Sequence, residues 1–129
     1  MTHPGLIGAV LYAKDLGRLV QFYFTVIGVK PPTIEKGFVV LGLKPSQFVI
    51  LSIPKRIAES IDIATPPELR EDTPIKLAFA VEDIARARDR AAGLGGAINT
   101  AKREWEFEGA KVCDGHDPEG NVFQVRQIS

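Results

Sequence analysis

The chain contains one unit twice, and this limits its fold more than any other feature. The segment Gly8–Leu16 (GAVLYAKDL) matches Lys76–Ile84 (KLAFAVEDI) in pattern: an apolar run, a charged residue, an aspartate and a large aliphatic residue. The two aspartates, Asp15 and Asp83, lie 83 − 15 = 68 positions apart, and the same offset pairs Arg18 with Arg86 and Gly28 with Gly96. In a chain of 129 residues such a repeat predicts two half-size modules sharing one core.

Each unit reads as a strand followed by a helix. Asp15 and Asp83 stand where a side-chain oxygen would bind the free amides of a first helical turn. After Asp15 the apolar residues Leu16, Leu19, Val20, Tyr23, Val26 and Ile27 recur at helical spacing; after Asp83 the set is Ile84, Ala87, Ala91 and Leu94. Gly28 and the glycines from Gly93 to Gly96 supply the stops. Phe38–Leu43 and Phe48–Ile53 read as strands around a Lys44-Pro45-Ser46-Gln47 turn, with a further short strand around Val29–Ile34 interrupted by Pro31-Pro32. In the second unit the strands are Ala97–Ala101, Ala110–Cys113 and Asn121–Gln127. Asp117-Pro118-Glu119-Gly120 has the residues of a type I turn. Residues 5–54 are then a first module, 55–74 a linker with a short helix at Lys55–Ser60, and 75–128 a second module, the whole of 1–129 forming one domain. Helices on one side of a curved sheet leave the other face free to line a cleft.

Charge and composition remove several function classes. Sixteen basic and sixteen acidic residues cancel, so no nucleic-acid partner is expected. The longest apolar runs fall far short of the roughly 20 residues that span a bilayer, so no membrane partner is expected either. The N-terminus has no basic start followed by a long apolar stretch, which predicts no signal peptide. Cys113 is the single cysteine, which excludes an intrachain disulfide and makes the cytoplasm the default location.

The arrangement resembles the paired βαβββ modules of the glyoxalase/bleomycin resistance protein/dioxygenase superfamily, the vicinal-oxygen-chelate proteins, over essentially the whole chain. Three stretches carry the resemblance: Val10–Leu16 with Phe22-Tyr23, Ala78–Asp83, and Asp117-Pro118-Glu119-Gly120-Asn121-Val122-Phe123, the last being the most specific. It implies an α+β fold in which two tandem βαβββ modules form a curved mixed sheet around a cleft, with the helices outside. It also implies a homodimer, since members of this size pair to complete their clefts.

The superfamily's metalloenzymes hold a divalent ion with side chains from four strands. Counting from the motifs places those positions at Gly8, Leu51, Lys76 and Gln124. Glycine and leucine offer no ligand atom, lysine is protonated and acceptor-free at neutral pH, and one amide oxygen replaces a carboxylate poorly. No metal and no other cofactor is therefore expected.

Five residues are candidates for ligand binding. Lys76 opens an apolar strand, so either it is a strand end with its head in water, or its ammonium stands where the metal charge would be. Gln124 and Arg126 alternate with Phe123 and Val125, putting an amide and a cation on one strand face. Tyr12 shares a face with Gly8 and Val10 and would line the cleft, where Gly8 would leave a void for Lys76 to reach into. Trp105, among charged residues in a loop or strand edge, could close over a ligand. Cys113, Asp114, His116 and Asp117 lie close together, but the glycine between them and the turn that follows account for both aspartates by backbone geometry. Two functions follow: a metal-free protein that binds a small anionic or carbonyl-rich molecule, with the ligand favoured over a backbone carbonyl, water or a carboxylate from elsewhere as the acceptor for Lys76, or a glyoxalase I-like lyase or isomerase, or ring-cleaving dioxygenase, with a divergent active site.

Overall fold

The computed structural model describes residues 4–42 and 46–128. β1 (Gly8–Ala13) leads into α1 (Leu16–Ile27), then β2 (Phe38–Leu41), β3 (Gln47–Ser52) and the short α2 (Lys55–Glu59). After the linker come β4 (Leu77–Val81), α3 (Ile84–Ala92), β5 (Ala97–Ile98), a 3-10 turn at Ala101–Arg103, β6 (Trp105–Phe107), β7 (Ala110–His116) and β8 (Val122–Gln127). The two long helices begin at positions 16 and 84, so the 68-residue offset holds in three dimensions. Asp15 accepts a hydrogen bond from the backbone N–H of Arg18, and Asp83 accepts from those of Ala85 and Arg86. α1 ends on Gly28 at φ 99°, a left-handed backbone that favours glycine.

The strands form two sheets rather than one. The first has the order β1-β3-β2, with β1 parallel to β3. The second has the order β4-β8-β7-β5, with β4 parallel to β8 and β6 paired to β7. Three boundaries depart from the sequence reading. No strand forms around Val29–Ile34, where Pro31 and Pro32 lack the N–H a ladder needs. The segment expected to end at Cys113 runs on to His116, because Asp114, Gly115 and His116 pair with Gln124, Phe123 and Val122 of β8. The expected strand Ala97–Ala101 stops at Ile98, after which the chain turns. The turn residues Lys44 and Pro45 lie outside the described residues.

Both sheets pack one face on the helices. α1 buries Leu19, Val20, Phe22, Tyr23, Phe24 and Val26. A chain of aromatic rings (Phe22, Tyr23, Phe48, Phe79 and Phe123, with centroids 5.0–6.1 Å apart) joins α1 to β3 of one sheet and to β4 and β8 of the other. Edge-to-face contacts of this kind contribute beyond the apolar area they bury. The modules thus share one core, as the repeat implies.

Polar bonds lock the modules together at the Asp117–Gly120 turn. Asp117 is fully buried. Its Oδ1 accepts from the N–H groups of Glu119 (2.8 Å) and Asn121 (3.1 Å), and its Oδ2 from the Tyr23 hydroxyl (2.6 Å) and the Asn121 amide (2.8 Å). The buried Glu119 carboxylate reaches into the first module and accepts the N–H groups of Lys14 (2.9 Å) and Asp15 (2.8 Å). Gly120, at φ 86°, lets the linker close in: its carbonyl accepts from the N–H of Arg70, and a Cβ there would collide with the carbonyl oxygen of Glu68.

A second polar group fastens α3. Arg88 bonds the carbonyl of Asn99 (2.7 Å) and pairs with Glu104 (2.5 Å), and the Cys113 thiol donates to the same Asn99 carbonyl (3.3 Å). Burial pushes the Cys113 thiol up, against the opposing pull of Arg88.

Tyr23→Phe removes a hydrogen bond to a buried carboxylate and should cost about 1.5–3 kcal/mol in urea unfolding. Burial first, and then Asp117, raise the Tyr23 hydroxyl well above its ordinary value. In the unfolded chain tyrosine ionises near pH 10 (about), while in the fold it stays protonated, so its contribution is lost as the pH rises past that point. Tyr23→Phe should flatten this alkaline loss. Cys113, the only cysteine and fully buried, should react with a thiol reagent no faster than the protein opens, and labelling should accelerate only as urea unfolds the chain.

Candidate functional site

Because side chains alternate along a strand, the face of each sheet turned away from the helices is fixed by the register. On the first sheet it carries Val10 and Tyr12 from β1, Phe38 and Val40 from β2, and Val49 and Leu51 from β3. This strip is apolar yet open: Val10 is 56% and Tyr12 63% exposed. On the second sheet the corresponding face carries Ala78 and Ala80 opposite Gln124 and Arg126, and Val112 and Asp114 opposite the same pair from the other side. Trp105 pairs with Val112 and Phe107 with Ala110, so β6 adds two half-exposed aromatics to this face.

The structure therefore groups Lys76, Gln124, Arg126 and Trp105 on one sheet face, while Tyr12 stands on the other sheet. The Arg126 guanidinium lies 5.0 Å from the centre of the Phe107 ring, and its Nε donates to Gln124 Oε1 at 2.8 Å. Both contacts fix the plane of the cation. Ala78, Ala80, Ala110 and Gly109 leave space beside it, a cavity of about 500 Å³ that Arg126 also lines.

Lys76 lies just before β4, and its ammonium pairs with Asp114 Oδ2 at 2.8 Å. This corrects the expectation that a ligand is its acceptor: a carboxylate of the chain already serves. It also corrects the reading of Asp114 as a turn residue, since Asp114 is mid-strand and faces the site. Asp114 and Lys76 line a cavity of about 260 Å³ with Asn99, Arg103, His116 and residues of the linker. Burial lowers the His116 imidazole below its ordinary range, against the opposing effect of Asp117.

The residues at the four metal positions do not fit a divalent ion. Gly8 and Leu51 belong to the first sheet, whereas Lys76 and Gln124 lie with the second. The one amide oxygen of the set, on Gln124, is taken by Arg126. Gly8 leaves no void, contrary to expectation: a Cβ there would run into the Gln47 carbonyl of the neighbouring strand, so no side chain fits without moving the backbone. Among the described residues no group of three or more His, Cys, Asp or Glu side chains stands close enough to share a metal, and no helix is long and apolar enough to cross a membrane.

Sequence reasoning does not single out Arg103 or Phe107, and it sets Asp114 aside as explained by backbone geometry. For Phe107 a signal was present, since it follows Trp105 at the two-residue spacing of a strand face. For Asp114 the signal was obscured by Gly115, which reads as a turn but sits in β7, where a Cβ would press on the carbonyl of Ala97 (2.6 Å).

Known proteins share this architecture. The structure resembles that of a glyoxalase/bleomycin resistance protein from Albidiferax ferrireducens, with a TM-score of 0.65 and 15% identity over 96% of this chain and 98% of that one. It is similar to a glyoxalase/bleomycin resistance protein/dioxygenase family enzyme from Burkholderia phytofirmans (TM-score 0.63, 16% identity, 95% and 98% covered). It is also similar to the fosfomycin resistance protein FosX from Mesorhizobium loti (TM-score 0.62, 14% identity, 100% and 95% covered). At such identities the likeness concerns the fold. No curated protein matches the sequence significantly. The family model of the glyoxalase-like domain matches residues 8–126. With that match spanning nearly all of its length, the chain belongs to the glyoxalase-like domain family, within the vicinal-oxygen-chelate superfamily.

Proposed function

We propose that the protein binds a small anionic or carbonyl-rich molecule on the open face of its second sheet, without a metal ion. The observation that carries this reading is the Arg126–Gln124–Phe107 group standing over the small side chains Ala78 and Ala80. The Arg126 Nε is engaged by Gln124, which leaves the terminal guanidinium nitrogens and the Gln124 amide nitrogen as donors. Such donors suit a carboxylate or carbonyl oxygen, and the ring of Phe107 or Trp105 offers an apolar wall. Lys76 adds positive charge at the other end of the strand pair. Metal-dependent lyase or dioxygenase chemistry requires ligands that Gly8, Leu51, Lys76 and Gln124 do not supply.

The apolar face of the first sheet completes the proposal. The exposed Val10 and Tyr12 of β1 and Phe38 and Val40 of β2 flank Val49 and Leu51 of the intervening β3, and apolar strips of this kind mark interaction surfaces. A second copy of the chain is the occupant we propose. A two-fold dimer would bring this strip over the donor-bearing face of the other protomer and place Tyr12 of the partner subunit on the wall of the site.

Trp105 is the only tryptophan, so its fluorescence should change when a ligand fills the site. Titration with benzoate and related small carboxylates should give a saturable change, and Arg126→Gln should weaken it about tenfold or more, the size expected of a charge-assisted bond. A titration unaffected by Arg126→Gln refutes the site. Sedimentation at micromolar concentration should show a dimer. Val40→Glu, which places a charge in the exposed strip, should shift the chain to monomer and abolish the fluorescence response together. A monomeric wild-type protein that still binds would remove the second copy from the proposal.

A further inference from the structure

We propose that the outer edge of β2 pairs with the same edge of a second copy of the chain, joining two first sheets into one across a two-fold axis. This contact uses the edge of the first sheet, whereas the contact proposed above uses its open face, and neither depends on the other.

In each module the last strand is parallel to the first and antiparallel to the one before it, so β2 of the first module corresponds to β7 of the second. The outer side of β7 is taken by β5 and β6, both antiparallel to it. The outer side of β2 has no strand, because the Pro31-Pro32 segment forms none. The register fixes which backbone groups stand at that edge. The Gly37 carbonyl accepts from the Ser52 N–H. Alternation from that bond turns Val39 and Leu41 toward β3 and the N–H and C=O groups of Phe38 and Val40 outward. Among the described residues no strand pairs with these groups and no turn or loop bond reaches them. Unpaired edge groups beside apolar side chains are a template for another strand, and chains that avoid such pairing place a proline, a lysine or a bulge in the edge. Phe38–Leu41 (FVVL) has none of these.

The strand matches itself. β5 and β6 show that this position takes an antiparallel neighbour, and a two-fold axis makes β2 antiparallel to its own copy. With the axis at Val39, Phe38 faces Val40 of the partner subunit, and Val40 faces Phe38 of the partner subunit. These are the residues whose backbone groups point outward, so both pairs can exchange their N–H···O bonds. Their side chains meet on the open face, an aromatic against a β-branched residue, which favours cross-strand contact. Lys36 falls opposite Gly42 of the partner subunit, so like charges do not meet. The other edges are poorer. β5 and β6 have only two and three residues, Phe79 of β4 packs on Phe48 of the first module, and Glu119 holds the end of β1. So short an edge gives a small interface, and the association belongs above the micromolar range.

The test is sedimentation of the intact chain from micromolar to near-millimolar concentration, with hydrogen exchange of single backbone amides over the same range. The mass should at least double, whether the species at micromolar concentration is the open-face dimer or a monomer, which separates this contact from that one. The Phe38 and Val40 amides should exchange freely at low concentration and slow as the mass rises, while those of Val39 and Leu41, bonded to β3, stay protected throughout. Phe38→Pro removes an outward N–H from each copy at the first residue of an edge strand, where proline is tolerated, and should lose the rise in mass. Phe38→Leu keeps the N–H and should retain it. If Phe38→Pro does not fold, exchange in the wild-type chain decides alone. A constant mass overturns the proposal. So does a rise in mass with the Phe38 and Val40 amides still free, or one that Phe38→Pro retains, since either puts the contact elsewhere. Protection of these amides at every concentration means that the chain covers its own edge, and overturns it too. Protection that appears only with an added extended peptide gives the edge to another protein and overturns the second copy as its occupant.

Discussion

The fold depends on the burial of one carboxylate, that of Asp117. An ionised group taken out of water is strongly unfavourable unless donors replace its hydration, and here four donors do so, from Tyr23, Glu119 and Asn121. One of them comes from the first module's helix, 94 positions away in sequence. The tight turn brings Glu119 round to meet the two free amides where β1 passes into α1. The aromatic core gives the modules a common interior, but apolar contacts have little directional preference. The two carboxylates supply the direction, fixing how the second module's turn sits against the start of the first module's helix.

Much of this architecture was legible in the residues. The aspartates at 15 and 83 announced both helix starts, and Asp117–Gly120 announced its turn, because capping and turn geometry are local. What Glu119 and Tyr23 do was not legible. Tyr23 reads as one more apolar position on a helix, and Glu119 as a solvent-facing turn residue, since neither's partner is near in sequence. The longer β7 has the same origin: strand formation depends on the neighbour across the ladder, and the partners of Asp114 to His116 lie on β8.

The candidate site was legible in part for a related reason. Strand alternation put Gln124 and Arg126 on one face, and the structure keeps them there. It could not show that they bond to each other, or that Lys76 finds Asp114, because those contacts depend on the distance between strands and on rotamers. The result is a surface on which Lys76 is paired with Asp114 while the Arg126 plane is held against Phe107 and Gln124 with its terminal nitrogens free to donate. Orientation fixed before a ligand arrives lowers the ordering cost of binding.

The Glu119 contact also breaks the symmetry that the repeat suggests. The second module's turn clasps the start of α1, whereas the corresponding start of α3 is met by the Gln127 side chain, from within its own module. Two interchangeable halves would make the same contacts in both directions. In this chain the halves differ, the later one carrying the clasp and the polar face, the earlier one supplying the helix that is clasped and an apolar face. Exchanging the order of the halves would preserve the composition and the repeat, yet it would change the chain path on which that clasp depends. The repeat is thus a pattern of backbone, while the division of labour lies in a few side chains that have no counterpart in the other half.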